Sequence, residues 1–363
     1  MIPIAKPLIG QEEIDGVVSV MRSGTIAEGP KVKEFEEAFA QYIGVKHAIA
    51  VNSGTAALHV ALLAKNIGKG DEVITTPFSF IATANCVLFT GARPVFADIE
   101  PETFNIDPED LKSKITKNTK AIIPVDLYGH PAEMKAIMDI AEDHKLAVIE
   151  DACQSHGAIY HGKKIGSFDI GCFSFYPTKN MTTSEGGIIT SDDSKFDAVA
   201  RMAKSHGSKV RYYHEMLGFN LRMTDIGAAI GLAQLNKIDG YNDSRIANAK
   251  YLNEKLAGIA GIITPVVKPG CKHVFHQYTI RITEEFGMSR DEVVQKLNRA
   301  GVGTGIYYPL PIHQQPYYKE IGYNESHPVS EKISSQVISL PVHPSVTVED
   351  INFIADTIRN LKA

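Results

Sequence analysis

Seven short runs rich in valine and isoleucine, each bounded by Gly, Pro or Asp, alternate with helical patterns through the first half of the chain, and this alternation constrains the fold more than any other feature. The runs are "HAIAVN" (47–52), "EVITTP" (72–77), "RPVFADI" (93–99), "KAIIPVDL" (120–127), "LAVIEDA" (146–152), "IGCFSF" (170–175) and "GGIIT" (186–190). Stretches such as "SGTAALHVALLAKNI" after the first and "MKAIMDIAEDHK" before the fifth are long enough to cross a sheet and return the chain parallel. The expected fold is α/β: a large, mostly parallel, seven-stranded α/β/α domain over residues 1–240. Beyond it come a polar helix "NDSRIANAKYLNEKLAGI", the strand "HQYTIRI", the helix-like "SRDEVVQKLNRAG" and the Pro-rich "YYPLPIHQQPYY". This texture predicts a smaller C-terminal α+β domain over 241–363, and the first ~20 residues are open to packing with it.

Charge narrows the range of partners. A formal net charge of -5 over 363 residues provides no basic field for a nucleic-acid backbone or an anionic membrane, so any anionic ligand must be held locally. No stretch approaches the ~18 consecutive apolar residues of a membrane span, and "MIPIAKPLIG" lacks a signal-peptide pattern, so the expected location is the cytoplasm. Cys86, Cys153, Cys172 and Cys271 are scattered without a CxxC pair, which indicates neither a metal site nor a disulfide framework.

Ligands bind at the carboxyl ends of parallel strands in open α/β sheets, and four stretches place polar residues there. After the first strand, "NSGTAALHVALL" offers Ser53, Gly54 and Thr55 at a helix start. Free amides and the positive end of the helix dipole suit a phosphate, although taken alone such a stretch more often means only that Ser53 or Thr55 caps the helix. The fifth strand runs straight into Glu150, Asp151 and Gln154. A carboxylate at the end of a buried strand needs a cation, unless it is a solvated loop residue or a helix cap. In "FSFYPTKNMTTSEGG", Lys179 follows Ser174 by five residues in a turn held by Pro177 and Thr178. A lysine enclosed there loses its proton readily and becomes a nucleophilic amine; a solvated surface lysine is the alternative. Gly186 and Gly187 allow either close backbone approach or a hairpin turn. In "LGFNLRMTDIGAAIGLAQL", Asn220 and Arg222 precede a small-residue helix opened by Thr224 and Asp225.

A phosphate cradle, a strand-end carboxylate and a cornered lysine together meet the three demands of a pyridoxal phosphate site. These are to anchor the phosphate, hold a proton on the pyridine nitrogen, and bond the aldehyde. A carboxylate about 4 Å from a pyridinium gains about 4 kcal/mol at an effective dielectric of about 20, enough to keep that nitrogen protonated at neutral pH.

Seven blocks in this order and spacing resemble the DegT/StrS-type sugar aminotransferases, pyridoxal phosphate enzymes of the aspartate aminotransferase fold (fold type I). They run from "PLIGQEEIDG" and "GDEVITTPFSFIATANCV" through "KAIIPVDLYGHPAEM", "VIEDACQSHGA" and "CFSFYPTKNMTTSEGG" to "FNLRMTDIGAAIGLAQL" and "YYPLPIHQQPYY". The resemblance implies that Lys179 is the Schiff-base lysine and proton shuttle, that Asp151 partners the pyridine nitrogen and that Gln154 lies near the phenolic oxygen. It places Gly54, Thr55 and Ser174 at the phosphate, Asn220 at the phosphate of a second subunit, and Phe80 against the ring face. Tyr308 and His313 fall near substrate positions. The implied partners are L-glutamate as amino donor and a nucleotide-diphosphate-linked sugar carrying a ketone at C3 or C4, with PMP as the half-reaction form, in a homodimer with shared active sites. Ser184, Asp126 and His130 depart from the residues commoner in the family, which bears on substrate choice rather than reaction type.

Two other readings compete. One is different chemistry on the same cofactor, a sugar dehydration or transamination of a keto substrate without a nucleotide; Lys179 argues against the dehydrating branch, which carries histidine there. The other is a non-catalytic, ligand-sensing regulator, for which the sequence has no DNA-binding segment or basic patch.

Overall fold

The computed structural model describes residues 1–362; Ala363, the last residue of the expected smaller domain, lies outside them. The seven Val/Ile runs become β1 (His47–Val51), β2 (Glu72–Thr75), β3 (Arg93–Phe96), β4 (Thr119–Ile123), β5 (Ala147–Asp151), β6 (Ile170–Ser174) and β7 (Gly187–Ser191). They form one sheet in the order β1-β7-β6-β5-β4-β2-β3. β2, β3, β4, β5 and β6 pair in parallel, whereas β7 runs antiparallel to both β1 and β6. The connection from β6 to β7 contains no helix, so the chain cannot cross over and must return reversed. That return puts the Lys179 loop on the same sheet edge as the carboxyl ends of the parallel strands.

Side chains alternate between the two faces, and helices cover both. Ala48, Ala50, Phe173 and Ile188 face a core shared with α2 (Pro30–Ile43), where Phe39 meets Phe173 edge-on at 5.1 Å. Ile49, Val51, Cys172 and Ile189 face the core under α3 (Gly54–Ala64), which follows β1 as the expected crossover helix. α4 (Ala82–Phe89) follows β2, α5 (Met134–His144) precedes β5, and α6 (Ser194–Lys204) adds Phe196, Ala200 and Ala203 to the α3 face. α7 (Asp225–Leu235) is capped by the Thr224 hydroxyl, which accepts from Gly227 N at 3.1 Å. Its small residues allow close packing: a Cβ on Gly231 would come within 2.8 Å of the Phe35 ring.

α8 (Ile238–Leu256) is continuous, so the boundary expected near residue 240 falls inside an unbroken helix. Its later half, with α9 (Arg290–Arg299) and α10 (Val348–Lys362), covers an antiparallel sheet of β8 (Ile262–Ile263), β9 (Tyr278–Ile282) and β10 (Val337–Leu340). Leu252, Leu256, Ile280, Val293, Leu297 and Ile354 belong to this second core. At the N-terminus, Ile2 bridges to Val302 and packs on the second core, while Gly16 of the first helix, α1 (Gln11–Ser23) in order along the chain, lies against Ala229 of α7. No described helix is long and apolar enough to cross a membrane.

Candidate active site

A cavity of about 610 Å³ opens at the carboxyl edge of the large sheet. One wall is the start of α3. Ser53 caps the helix, its hydroxyl accepting from Ala56 N at 3.1 Å, so the capping reading of this residue holds; the first amides beyond it have no intrahelical acceptor. Two glycines let this helix start sit close against the neighbouring strands. A Cβ on Gly54 would lie 2.6 Å from Ser174 Cβ and 2.9 Å from Cys153 Sγ, and one on Gly187 would lie 2.3 Å from the Ser53 carbonyl oxygen. Close approach, rather than a tight hairpin, is therefore what the Gly186-Gly187 pair provides.

Asp151 stands at the end of β5, buried, with its side chain on the cavity. One carboxylate oxygen accepts from the Thr83 hydroxyl at 2.7 Å and the other from Cys153 N at 3.3 Å; Ser79 and Thr83 hydroxyls lie 2.9 Å apart behind it. Among the described residues no lysine or arginine lies within 4 Å of this carboxylate, so the cation demanded by its burial does not come from an ion pair within the chain. Gln154 is oriented from both ends: its Oε1 accepts from Tyr128 N at 2.9 Å and its Nε2 donates to the Tyr308 hydroxyl at 3.4 Å.

Lys179 lies in the β6–β7 loop, where its N–H donates to the Tyr176 carbonyl at 2.8 Å. Thr182 Oγ1 and Thr183 N both donate to the Phe175 carbonyl and fold the loop back on the strand end. The side chain opens onto the cavity and is otherwise enclosed by protein, and it makes no ion pair among the described residues. Burial lowers its amine pKa, opposed only in part by Cys153 and Asp151, and this favours the neutral, nucleophilic form. Phe80 projects an exposed ring, 6.3 Å from that of Tyr308, at the cavity mouth.

The cavity thus brings together Gly54, Thr55, Phe80, Asp151, Gln154, Ser174, Lys179 and Tyr308. It does not include Asn220, which is exposed on the strand-like segment bridged to Ser205, or His313. His313 is buried elsewhere, 3.1 Å from Glu331 and with its ring against those of His327 and Phe96. Sequence reasoning missed Thr83, Tyr176, Tyr307, His276 and Gln277. The last two precede β9 in "HQYTIRI", which carries a strand signal but nothing that foretells contact with the other sheet. Burial holds the His276 imidazole pKa well below its ordinary value.

Comparison with known proteins identifies the family. The profile of the DegT/DnrJ/EryC1/StrS aminotransferase family matches residues 7–359. GDP-perosamine synthase of Caulobacter vibrioides is 42% identical over 97% of this chain and 95% of its own length. The crystal structure of S. venezuelae DesV in complex with a ketimine intermediate superimposes with a TM-score of 0.93 at 37% identity, covering 97% of this chain and 94% of that one. Spr1654 of Streptococcus pneumoniae, solved in its PMP form, reaches a TM-score of 0.94 at 28% identity, covering 99% and 97%. With its fold and nearly its whole length matched, the chain belongs to the DegT/DnrJ/EryC1/StrS aminotransferase family and is a pyridoxal phosphate-dependent enzyme of sugar transamination.

Proposed function

We propose that the enzyme moves an amino group from L-glutamate to a C3 or C4 ketone of a nucleotide-diphosphate-linked sugar, with Lys179 as its catalytic lysine. The observation that carries this reading is the convergence, in one cavity, of an enclosed lysine amine, a carboxylate lacking a cation and a helix N-terminus cleared by glycines. These residues fit pyridoxal phosphate. The Gly54 and Thr55 amides and the Ser174 hydroxyl suit its phosphate. Asp151, held by Thr83, suits the protonated ring nitrogen, Gln154 the phenolic oxygen, and Phe80 the ring face. Bound there, the cofactor supplies an aldehyde for nitrogen capture and a protonated ring that withdraws electrons. Lys179 Nζ, which desolvation biases toward its neutral form, would take a proton from the α-carbon of the donor and deliver it to the cofactor's C4′ carbon. The enclosing Tyr307, Tyr308 and His276 exclude water from that transfer.

A homodimer with shared sites completes the proposal. Asn220 lies outside its own cavity, and the adjoining hairpin exposes Val210, Tyr212, Tyr213 and Leu217, an apolar surface suited to a second copy. Lys179 is the one lysine or arginine lining the cavity among the described residues, so further cations for an anionic sugar nucleotide are left for a second subunit to supply.

The test is the near-visible absorbance of the purified protein before and after L-glutamate, followed by mass spectrometry of keto-sugar nucleotides incubated with the aminated enzyme. A long-wavelength band that shifts to shorter wavelength with glutamate, then an amino-sugar product, is the expected result. Retention of the band with glutamate but not with another amino acid refutes the donor. Amination of a keto sugar that lacks a nucleotide, with none of the linked sugars accepted, refutes the acceptor.

A further inference from the structure

The buried stripe of α8 runs Ile238, Asn242, Arg245, Ala249, Leu252 and Leu256, alternating steps of four and three that keep one face inward. Four members are apolar; the other two, adjacent in the stripe, break the pattern. Asn242, fully buried, accepts from Asn180 Nδ2 at 2.8 Å and donates to the His156 carbonyl at 2.8 Å. Asn180 also donates to the Val274 carbonyl at 3.0 Å. One turn on, Arg245 donates to the carbonyls of Phe275 at 3.2 Å and His276 at 3.4 Å. Side chains from one helix face therefore tie three stretches of cavity wall: the one after Gln154, the one after Lys179, and the one bearing His276 and Gln277.

Arg245 is buried with no carboxylate within 4 Å among the described residues, its Nε lacks a partner, and burial lowers its pKa to about 10. A desolvated guanidinium without a counter-ion is costly, and apolar residues would satisfy the stripe better, so its place there points to a role beyond packing. We propose that Asn242 and Arg245 are positioning residues, which clamp the Lys179 turn to the opposite, His276-bearing wall and hold the lysine amine at one angle to the cavity. The proposal rests on the reading of Lys179 as the lysine that bonds the cofactor.

The test uses cofactor-free wild type, Asn242→Ala, Arg245→Met and Arg245→Lys. Each is mixed with pyridoxal 5′-phosphate: Lys179 Nζ condenses with the aldehyde carbon, releasing water, and borohydride adds hydride to the C=N bond at timed intervals. Peptide mass spectrometry then measures label at Lys179, and circular dichroism of the bound chromophore reports its orientation. Variants that melt as the wild type does are expected to label at least about tenfold more slowly, since displacement by about 1 Å can cost 10²-fold, and to lose dichroic amplitude. Both carbonyls accept from Arg245 Nη1 alone, so Arg245→Lys, which keeps a charged donor, should slow labelling less than Arg245→Met. Wild-type labelling rates and an unchanged dichroic band in folded variants overturn the proposal. If Asn242→Ala does not fold, Asn180→Ala removes the other half of the same amide pair and is judged by the same two results. Absence of label at Lys179 in the wild type refutes the attachment reading itself, a result distinct from equal labelling of all variants.

Discussion

Gly54→Ala tests the proposed phosphate cradle with the smallest possible change. The added methyl would lie 2.6 Å from Ser174 Cβ and 2.9 Å from Cys153 Sγ, where non-bonded carbons prefer about 3.5–4.0 Å. Ser174 Cβ belongs to the end of β6 and cannot swing aside, so either the start of α3 or the strand end must move by about 1 Å. Overpacking of this kind costs about 1–3 kcal/mol of stability, offset in part by the helix preference of Ala over Gly. The functional effect follows from alignment. A hydrogen bond to a charged group contributes about 1.5–3 kcal/mol, so losing the equivalent of one from the cradle weakens binding about 10- to 150-fold, at 1.4 kcal/mol per tenfold. The assay titrates the cofactor-free variant with pyridoxal 5′-phosphate and, separately, with pyridoxal, which keeps the aldehyde and ring but has no phosphate. Affinity for the first should fall in that range while affinity for the second changes little. Equal losses for both ligands, or undiminished affinity for pyridoxal 5′-phosphate in a folded variant, would refute the cradle.

Lys179→Ala should abolish turnover in a folded protein, and measurable transamination by that variant would remove Lys179 from the mechanism. Because burial lowers the pKa of this amine in the folded state, the folded protein binds fewer protons there than the unfolded chain between the two values. The destabilisation is therefore complete below the folded value and relieved as pH rises through it; Lys179→Met should raise the urea midpoint more in mild acid than in alkali, and a pH-independent gain would contradict this. Thr83→Val removes the hydroxyl that donates to Asp151 at 2.7 Å and should cost about 1.5–3 kcal/mol in urea unfolding; a loss below about 0.5 kcal/mol would show that the hydrogen bond contributes little. Glu150 is buried, and its carboxyl is pushed up to about 7 mainly by that burial, despite the amides of Gly166 and Phe168 donating to it at 2.9 and 3.0 Å. The folded state then binds the extra proton between the ordinary value of 4.5 and about 7, so this contribution is present below that window and lost as pH rises through it. Glu150→Gln should flatten the fall of the urea midpoint over those pH values; an unchanged slope would assign it to other groups.

Local chemistry made the strands, the crossover helices and the polar residues at strand ends readable in advance. Val/Ile runs closed by Gly, Pro or Asp suit a pleated, buried surface, and all seven entered one sheet. Thr224 before a small-residue run likewise marked the start of α7. Lys179, Asp151 and Gly54 were legible because each is unusual in its own sequence neighbourhood, and the parallel strand ends gather at one edge. His276 and Gln277 were not, because a histidine and a glutamine before a strand suit many surroundings; their place in the cavity depends on how the second sheet docks through α8. Nor could residue type tell that His313 turns to Glu331 and His327 rather than to the cavity. The sequence by itself determined the elements and the chemistry available at their ends, since propensity and periodicity act over a few residues. Only the tertiary structure decided that β7 inserts between β1 and β6, that the Lys179 amine is desolvated, and that Asn242 and Arg245 of a single helix hold three walls of one cavity together. Burial and long-range hydrogen bonds belong to pairs of residues far apart in the chain, and no local stretch carries them.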